Sequence, residues 1–188
     1  LSGFRHVIEV LQPKMFEKLL RRPIQQRLPR HIATPGNRDE IALKHLGYDA
    51  QAIDTIVKHV VGHGTLLGAP AINQQTLAAR GFTPEALSRI EGQLSAAFDL
   101  KMAFNPYVLG KEFVLGTLGI TESAMSAWNF NLLKEIGFSA DEIALANDHV
   151  CGTMTVEGAP GLKDEHLPVF DCANRCGKKG VRYIPYGA

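Results

Sequence analysis

From residue 40 onward apolar positions recur at helical spacing, and each run is introduced by the same short signal. The segments "LGYDAQAI" (46–53), "RGFTPEAL" (80–87), "LGITESAM" (118–125) and "IGFSADEI" (136–143) read glycine, apolar residue, Asp, Thr or Ser, then helix. Glycine enters the left-handed region without a Cβ penalty and so closes a preceding helix. The residue after next (Asp49, Thr83, Thr121 or Ser139) is placed as an N-cap, accepting backbone N–H groups that the next helix would leave orphaned. Tyr48, Phe82, Ile120 and Phe138 stand just before the caps, where an apolar side chain staples onto the first turn. Pro84 occupies a first helical position, and Ser139 with Glu142 makes a capping box. No segment alternates with a clear period of two. The pattern predicts a mostly α body with Gly/Pro loops.

The first forty residues are patterned differently. Pro13 to Arg22 predicts one short amphipathic helix, with Met15, Phe16, Leu19 and Leu20 on its apolar face and Pro23 ending it. The stretch "RPIQQRLPRHIATPGN" (22–37) carries three prolines and little periodicity, which predicts an extended linker ordered only against a partner. The expected division is a basic arm and linker over residues 1–40 and a helical domain over 41–188.

Within the helical part, "LKHLGYDAQAIDTIVKHVVGHGTLLGAP" (43–70) matches "LKEIGFSADEIALANDHVCGTMTVEGAP" (133–160). Lys44, Gly47 and Ile53 align with Lys134, Gly137 and Ile143. With small length adjustments, His63-Gly64-Thr65 aligns with Cys151-Gly152-Thr153, and Gly68-Ala69-Pro70 with Gly158-Ala159-Pro160. The expectation is a pseudo-duplication of helix, turn and Gly-Ala-Pro loop, packed about an approximate twofold.

Composition narrows the class. A chain of 188 residues with 45% apolar and 21% charged side chains is globular, and no apolar run is long enough to span a bilayer as a helix. The net charge of +1 hides an asymmetry. Residues 1–38 hold eight basic groups against Glu9 and Glu17, while the remaining 150 residues hold 12 basic and 17 acidic groups. A basic arm on an acidic body fits either contact with an anionic surface or simple solvation. An arginine-rich, acid-poor N-terminus with an apolar stripe is also the composition of organellar targeting segments, which points to a mitochondrial location as one reading.

Three cysteines are an odd number for a disulfide scaffold and favour a soluble protein in a reducing compartment. They lie as C-x20-C-x3-C at Cys151, Cys172 and Cys176, in a stretch read as a Cys-rich C-terminal knot. Tetrahedral zinc takes four thiolate or imidazole ligands, commonly with one close pair from a turn. "CANRCG" offers that pair; His63, placed by the repeat opposite Cys151, is the expected fourth ligand, with His166 as the alternative. The competing reading is three reduced thiols acting as small apolar residues. No G-x-x-x-x-G-K-[ST], G-x-G-x-x-G or G-x-S-x-G motif occurs. "CGKKGVRY" is basic and ends in an aromatic residue, compatible with nucleic acid or with a solvated loop.

The stretch "VCGTMTVEGAPGLKDEHLPVFDCANRCGKKGVRY", with "VVGHGTLLGAPAIN", "AFDLKMAFN" and "IGFSADEI", resembles the bacterial adenosylcobalamin-dependent (class II) ribonucleotide reductases over roughly residues 43 to 183. The resemblance implies a mostly helical segment inserted late in a catalytic α/β barrel. The family's thiyl-radical cysteine, reducing pair, carboxylate and cobalamin site lie in motifs without a counterpart here, so no catalytic or cobalamin-binding residue is carried over. The expected role is therefore a non-catalytic structural or accessory subunit, its arm contacting protein subunits of a larger assembly such as a mitochondrial respiratory or ribosomal complex. The alternatives are a portion of a vitamin B12-dependent ribonucleoside-diphosphate reductase and a nucleic-acid-binding module.

Overall fold

A computed structural model describes residues 35–185 of the chain. The amphipathic arm and most of the linker expected before them lie outside the described residues. Helix α1 (Pro35–His45) already runs through the boundary expected at residue 40, so the end of that linker is helical. A proline suits this start, because its missing N–H would be unpaired in a first turn anyway.

The four capping signals become four helix starts. Asp49 caps α2 (Ala50–Val61), its carboxylate accepting the Ala52 N–H at 2.8 Å. Short helix α3 (Gln74–Ala78) is followed by α4 (Pro84–Leu94), which Thr83 caps with Pro84 in the first turn. A 3-10 turn (Leu100–Met102), α5 (Pro106–Leu109) and a π-helical turn (Phe113–Thr117) lead to α6 (Glu122–Met125), capped by Thr121. Then come α7 (Leu132–Glu135) and α8 (Ala140–Cys151), whose Ser139–Glu142 capping box forms as expected. A 3-10 run, Asp164–Phe170, precedes an irregular tail, and no strand occurs among the described residues. Each cap residue serves its own backbone, which is why such short helices persist.

The helices close over two sets of apolar side chains. The larger joins Leu66, Ala69 and Ile72 to Phe82, Ile90, Leu94, Phe104, Leu133, Phe138, Ala146 and Val150. The smaller joins Leu43, Ile53 and Ile56 of α1 and α2 to Ala159. Ala69 thus shares the core that holds Ala146 and Val150 of α8, and Ala159 the one formed by α1 and α2, so each Gly-Ala-Pro loop meets helices of the other half.

The expected twofold is present, and its register is simpler than the sequence alignment assumed. His59, Val60, Gly62 and His63 stand opposite His149, Val150, Gly152 and Thr153 at one constant offset, without gaps. The His63 N–H donates to the His149 carbonyl and the Thr153 N–H to the His59 carbonyl, both at 2.9 Å. The next pair, Gly64 N–H to Val150 carbonyl and Met154 N–H to Val60 carbonyl, repeats the exchange at 2.9 Å. At the centre, Gly62 (φ +77°) and Gly152 (φ +75°) pass so closely that a Cβ on either would lie 2.2 Å from the other half's carbonyl oxygen. Only glycine fits there, for space as much as for φ. This register corrects the sequence alignment: His63 is the counterpart of Thr153, and the counterpart of Cys151 is Val61.

Candidate functional site

The chain crossing gathers histidines on one face. His63 and His149 stack with ring centroids 4.0 Å apart and planes 4° from parallel. His63 Nδ1 lies 2.9 Å from the His149 carbonyl and His149 Nε2 3.2 Å from the Leu67 carbonyl. His59 Nε2 stands 3.2 Å from the Glu157 carbonyl, the symmetric counterpart of the second contact. A carbonyl only accepts, so each of these nitrogens carries the proton. Thr153, opposite His63, does the same work with a hydroxyl, donating to the His59 carbonyl at 3.1 Å. The rings flank a cleft of about 440 Å³ that Asp54, Lys58 and Asp148 also line.

The zinc ligands expected from the sequence are not brought together. Cys151 ends α8, 5% exposed within the larger core. Burial, with a further push from Asp99 and a partial offset from Lys178, raises its thiol to about 11. Cys172 and Cys176 lie on the tail, exposed and half-buried. His63 is held by His149, and His166 Nδ1 by the Tyr48 hydroxyl at 2.7 Å. Among the described residues no three His, Cys, Asp or Glu side chains form a group able to hold a metal ion. A neutral core thiol and two committed imidazoles do not fit a tetrahedral zinc centre, and the stretch read as a Cys-rich knot is a loop in which the described residues form no such group. The two thiols of "CANRCG" are the part of that expectation that stays together.

The tail is fastened over the second half. Arg182 grips Asp171 through Nε and Nη2, each at 2.7 Å, and the Val181 and Arg182 N–H groups both donate to Glu157 Oε1 at 2.9 Å. Arg182 holds the Asp171 carboxyl below its ordinary range. Lys178 pairs with Asp99 at 2.5 Å and Lys179 pairs with Asp148, roofing a second cleft of about 300 Å³ whose rim includes Phe98. Sequence reasoning missed these acidic partners, which lie far from the tail in the chain and carry no local signal. Both clefts have the size of small-ligand pockets and do not fit a corrinoid ring with its nucleotide loop.

The motif resemblance to class II reductases is borne out. The chain is 53% identical over 143 residues to a vitamin B12-dependent ribonucleotide reductase of Bradyrhizobium diazoefficiens, a match covering 76% of this chain and 11% of that protein. It is 51% identical over 143 residues to the enzyme of the same name from Agrobacterium fabrum, with the same coverage. A shorter match, 50% over 56 residues, joins it to a vitamin B12-dependent ribonucleotide reductase of Rhodopirellula baltica, covering 30% of this chain and 5% of that one. The chain therefore spans about a tenth of the length of these relatives. No protein-family model matches it. No described helix is long and apolar enough to cross a membrane.

Proposed function

We propose that the helical body is an architectural module of a vitamin B12-dependent ribonucleotide reductase, packing against further protein and making no bonds itself. The observation that carries this reading is the identity of about half over 143 residues to reductases of which the chain spans 11%. Packing against further protein would cover Tyr107 and Trp128, which are 100% and 96% exposed.

A second reading, an accessory subunit of a different large assembly, rests on the basic composition of residues 1–38. The nucleic-acid reading is weakened by Lys178 and Lys179, whose charges are already met by Asp99 and Asp148. The test is denaturing and native electrophoresis of an extract of the source, with mass-spectrometric identification of the bands carrying this sequence. Peptides of the body in a denatured chain several times longer than 188 residues support the reductase module. A short denatured chain inside a large native complex supports the accessory subunit. A short chain that also migrates alone under native conditions overturns both.

A further inference from the structure

The tail holds two thiols that the core does not absorb. Cys172 and Cys176 sit one on each side of the bend Ala173–Asn174, and neither is in a disulfide. Each Sγ lies near the carbonyl two residues back, Cys172 at 3.6 Å from Phe170 O and Cys176 at 3.8 Å from Asn174 O. The Cys172 thiol also acts on the ionisation of Cys176, four residues further along the same loop. The loop carrying them is braced on both flanks. The Ile184 N–H donates to the Cys172 carbonyl at 2.8 Å, and the Gly180 N–H to the Cys176 carbonyl at 3.1 Å. Between them Gly177 packs so tightly on Thr153 that a Cβ would stand 2.2 Å from its carbonyl oxygen. Two free thiols flanking one bend of a braced surface loop are placed for chemistry between themselves.

We propose that Cys172 and Cys176 form a reversible dithiol–disulfide pair, a modification site that exchanges with small disulfides of the glutathione type. This does not depend on the architectural reading above. Cys172, the exposed member, attacks as thiolate. Its sulfur bonds to one sulfur of the small disulfide, the S–S bond breaks, and the departing thiolate takes a proton from solvent. Cys176 then loses its proton and attacks the Cys172 sulfur, expelling the second small thiol and closing the intramolecular disulfide. The two protein thiols lose two electrons and two protons, and the small disulfide becomes two thiols.

The surroundings divide the roles. Burial first, then the Cys172 thiol, then Asp39 and Glu157 push the Cys176 thiol above its ordinary range. Cys176 is therefore the slower nucleophile toward an outside reagent. Once Cys172 has become a mixed disulfide, its share of that upward push is gone, and Cys176 attacks a sulfur already beside it. Cys151 takes no part, because burial keeps its thiol protonated and out of contact with reagents.

The test uses the full chain equilibrated in oxidised and reduced glutathione over a series of ratios, quenched by acid and alkylation, and mapped by peptide mass. The expected result is a Cys172–Cys176 disulfide reversed by excess reduced glutathione, with Cys151 alkylated only after unfolding. Cys176→Ser should accumulate glutathione on Cys172, and Cys172→Ser should acquire it more slowly on Cys176, the less accessible of the two. The Cys151→Val chain, with both tail thiols intact, should form the same disulfide. The proposal is overturned if both thiols take up glutathione at rates indifferent to each other's removal. Disulfides forming only between chains, or both thiols staying reduced at every ratio, overturn it as well.

Discussion

The loops Gly62–Ile72 and Gly152–Leu162 run through the same backbone geometry with almost unrelated chemistry. Both begin with a glycine at φ near +76°, and both carry a Gly-Ala-Pro turn. Thr65 and Thr155 each accept an N–H two residues on, from Leu67 at 3.1 Å and Glu157 at 3.2 Å. Even the unusual left-handed positions coincide, with Gly64 opposite Met154 and Ala71 opposite Gly161, all at positive φ. The side chains part company around this frame. His63 stacks on a ring where Thr153 offers only a hydroxyl, and exposed Leu67 stands opposite Glu157, which anchors the tail. The repeat lies in the main chain, held by interstrand-like hydrogen bonds and one glycine pair, and this leaves the surfaces free to differ. One half presents imidazoles, and the other presents a strapped thiol loop.

The sharpest way to break the comparison is to put a methyl group into the crossing. Gly152→Ala sets a Cβ 2.2 Å from the Val60 carbonyl at positive φ, so both halves must separate. The expected loss is at least about 3 kcal/mol, read from the urea midpoint, and Gly62→Ala should match it by symmetry. Gly158→Ala is the control, since φ is also positive there but nothing lies within 4 Å; it should cost only about 1 kcal/mol. Equal losses at 152 and 158 would mean that the close approach contributes nothing.

Next in size is the core under the first half. Ile56 and its counterpart Ala146 are both fully buried, but in different clusters. Ile56→Ala makes the positions identical and leaves a cavity among Leu43, Ile53 and Ala159. A loss of about 2–4 kcal/mol is expected, the range for large-to-small changes at sites that cannot collapse. Calorimetry showing under about 1 kcal/mol would mean that this smaller core is loose.

Much of this frame was legible in the sequence because it is written locally. The Gly-apolar-cap signals at Gly47, Gly81, Gly119 and Gly137 each gave a left-handed glycine followed by a capped helix. Asn73, Asn105 and Asn131 cap three further short helices by the same chemistry, but no glycine stands two residues before them to mark the turn. The site was less legible. Allowing gaps in the repeat set His63 against Cys151 and made it a zinc ligand, whereas the gapless register sets it against Thr153. Whether three cysteines converge depends on where α8 ends and how the tail turns back, and no local pattern encodes either. The partners of the tail, Asp99, Asp148 and Glu157, are ordinary acidic residues in sequence and become its anchors only in three dimensions.

A smaller effect separates Cys151 from its counterpart Val61. The Cys151 thiol moves from an ordinary value of 9.0 to about 11 in the folded chain, chiefly through burial. A folded value above the unfolded one means stability that is complete below pH 9 and lost as pH rises toward 11. Cys151→Val keeps the shape and removes the titration. Urea midpoints should therefore fall less for the variant than for the parent across that interval, and be similar at pH 7. Parallel curves would show that the thiol finds solvent in the folded state.

The smallest effect concerns the strap that only the second half carries. Arg182 lowers the Asp171 carboxyl in the folded chain from its ordinary 3.8. A lowered value contributes stability that is present above the unfolded one and lost as pH falls through the folded one, so the tail should loosen only in acid well below neutrality. The pair is at the surface, where such contacts contribute little and weaken with salt. Arg182→Gln should lower the hydrogen-exchange protection of the Val181 and Arg182 amides, which donate to Glu157, by no more than roughly fivefold at neutral pH. Protection of the His63 and Thr153 amides at the crossing should not change, because those bonds join the two halves without the tail. Loss of protection at both places would make the strap part of the frame, and the separation between a shared main chain and divergent surfaces would fail.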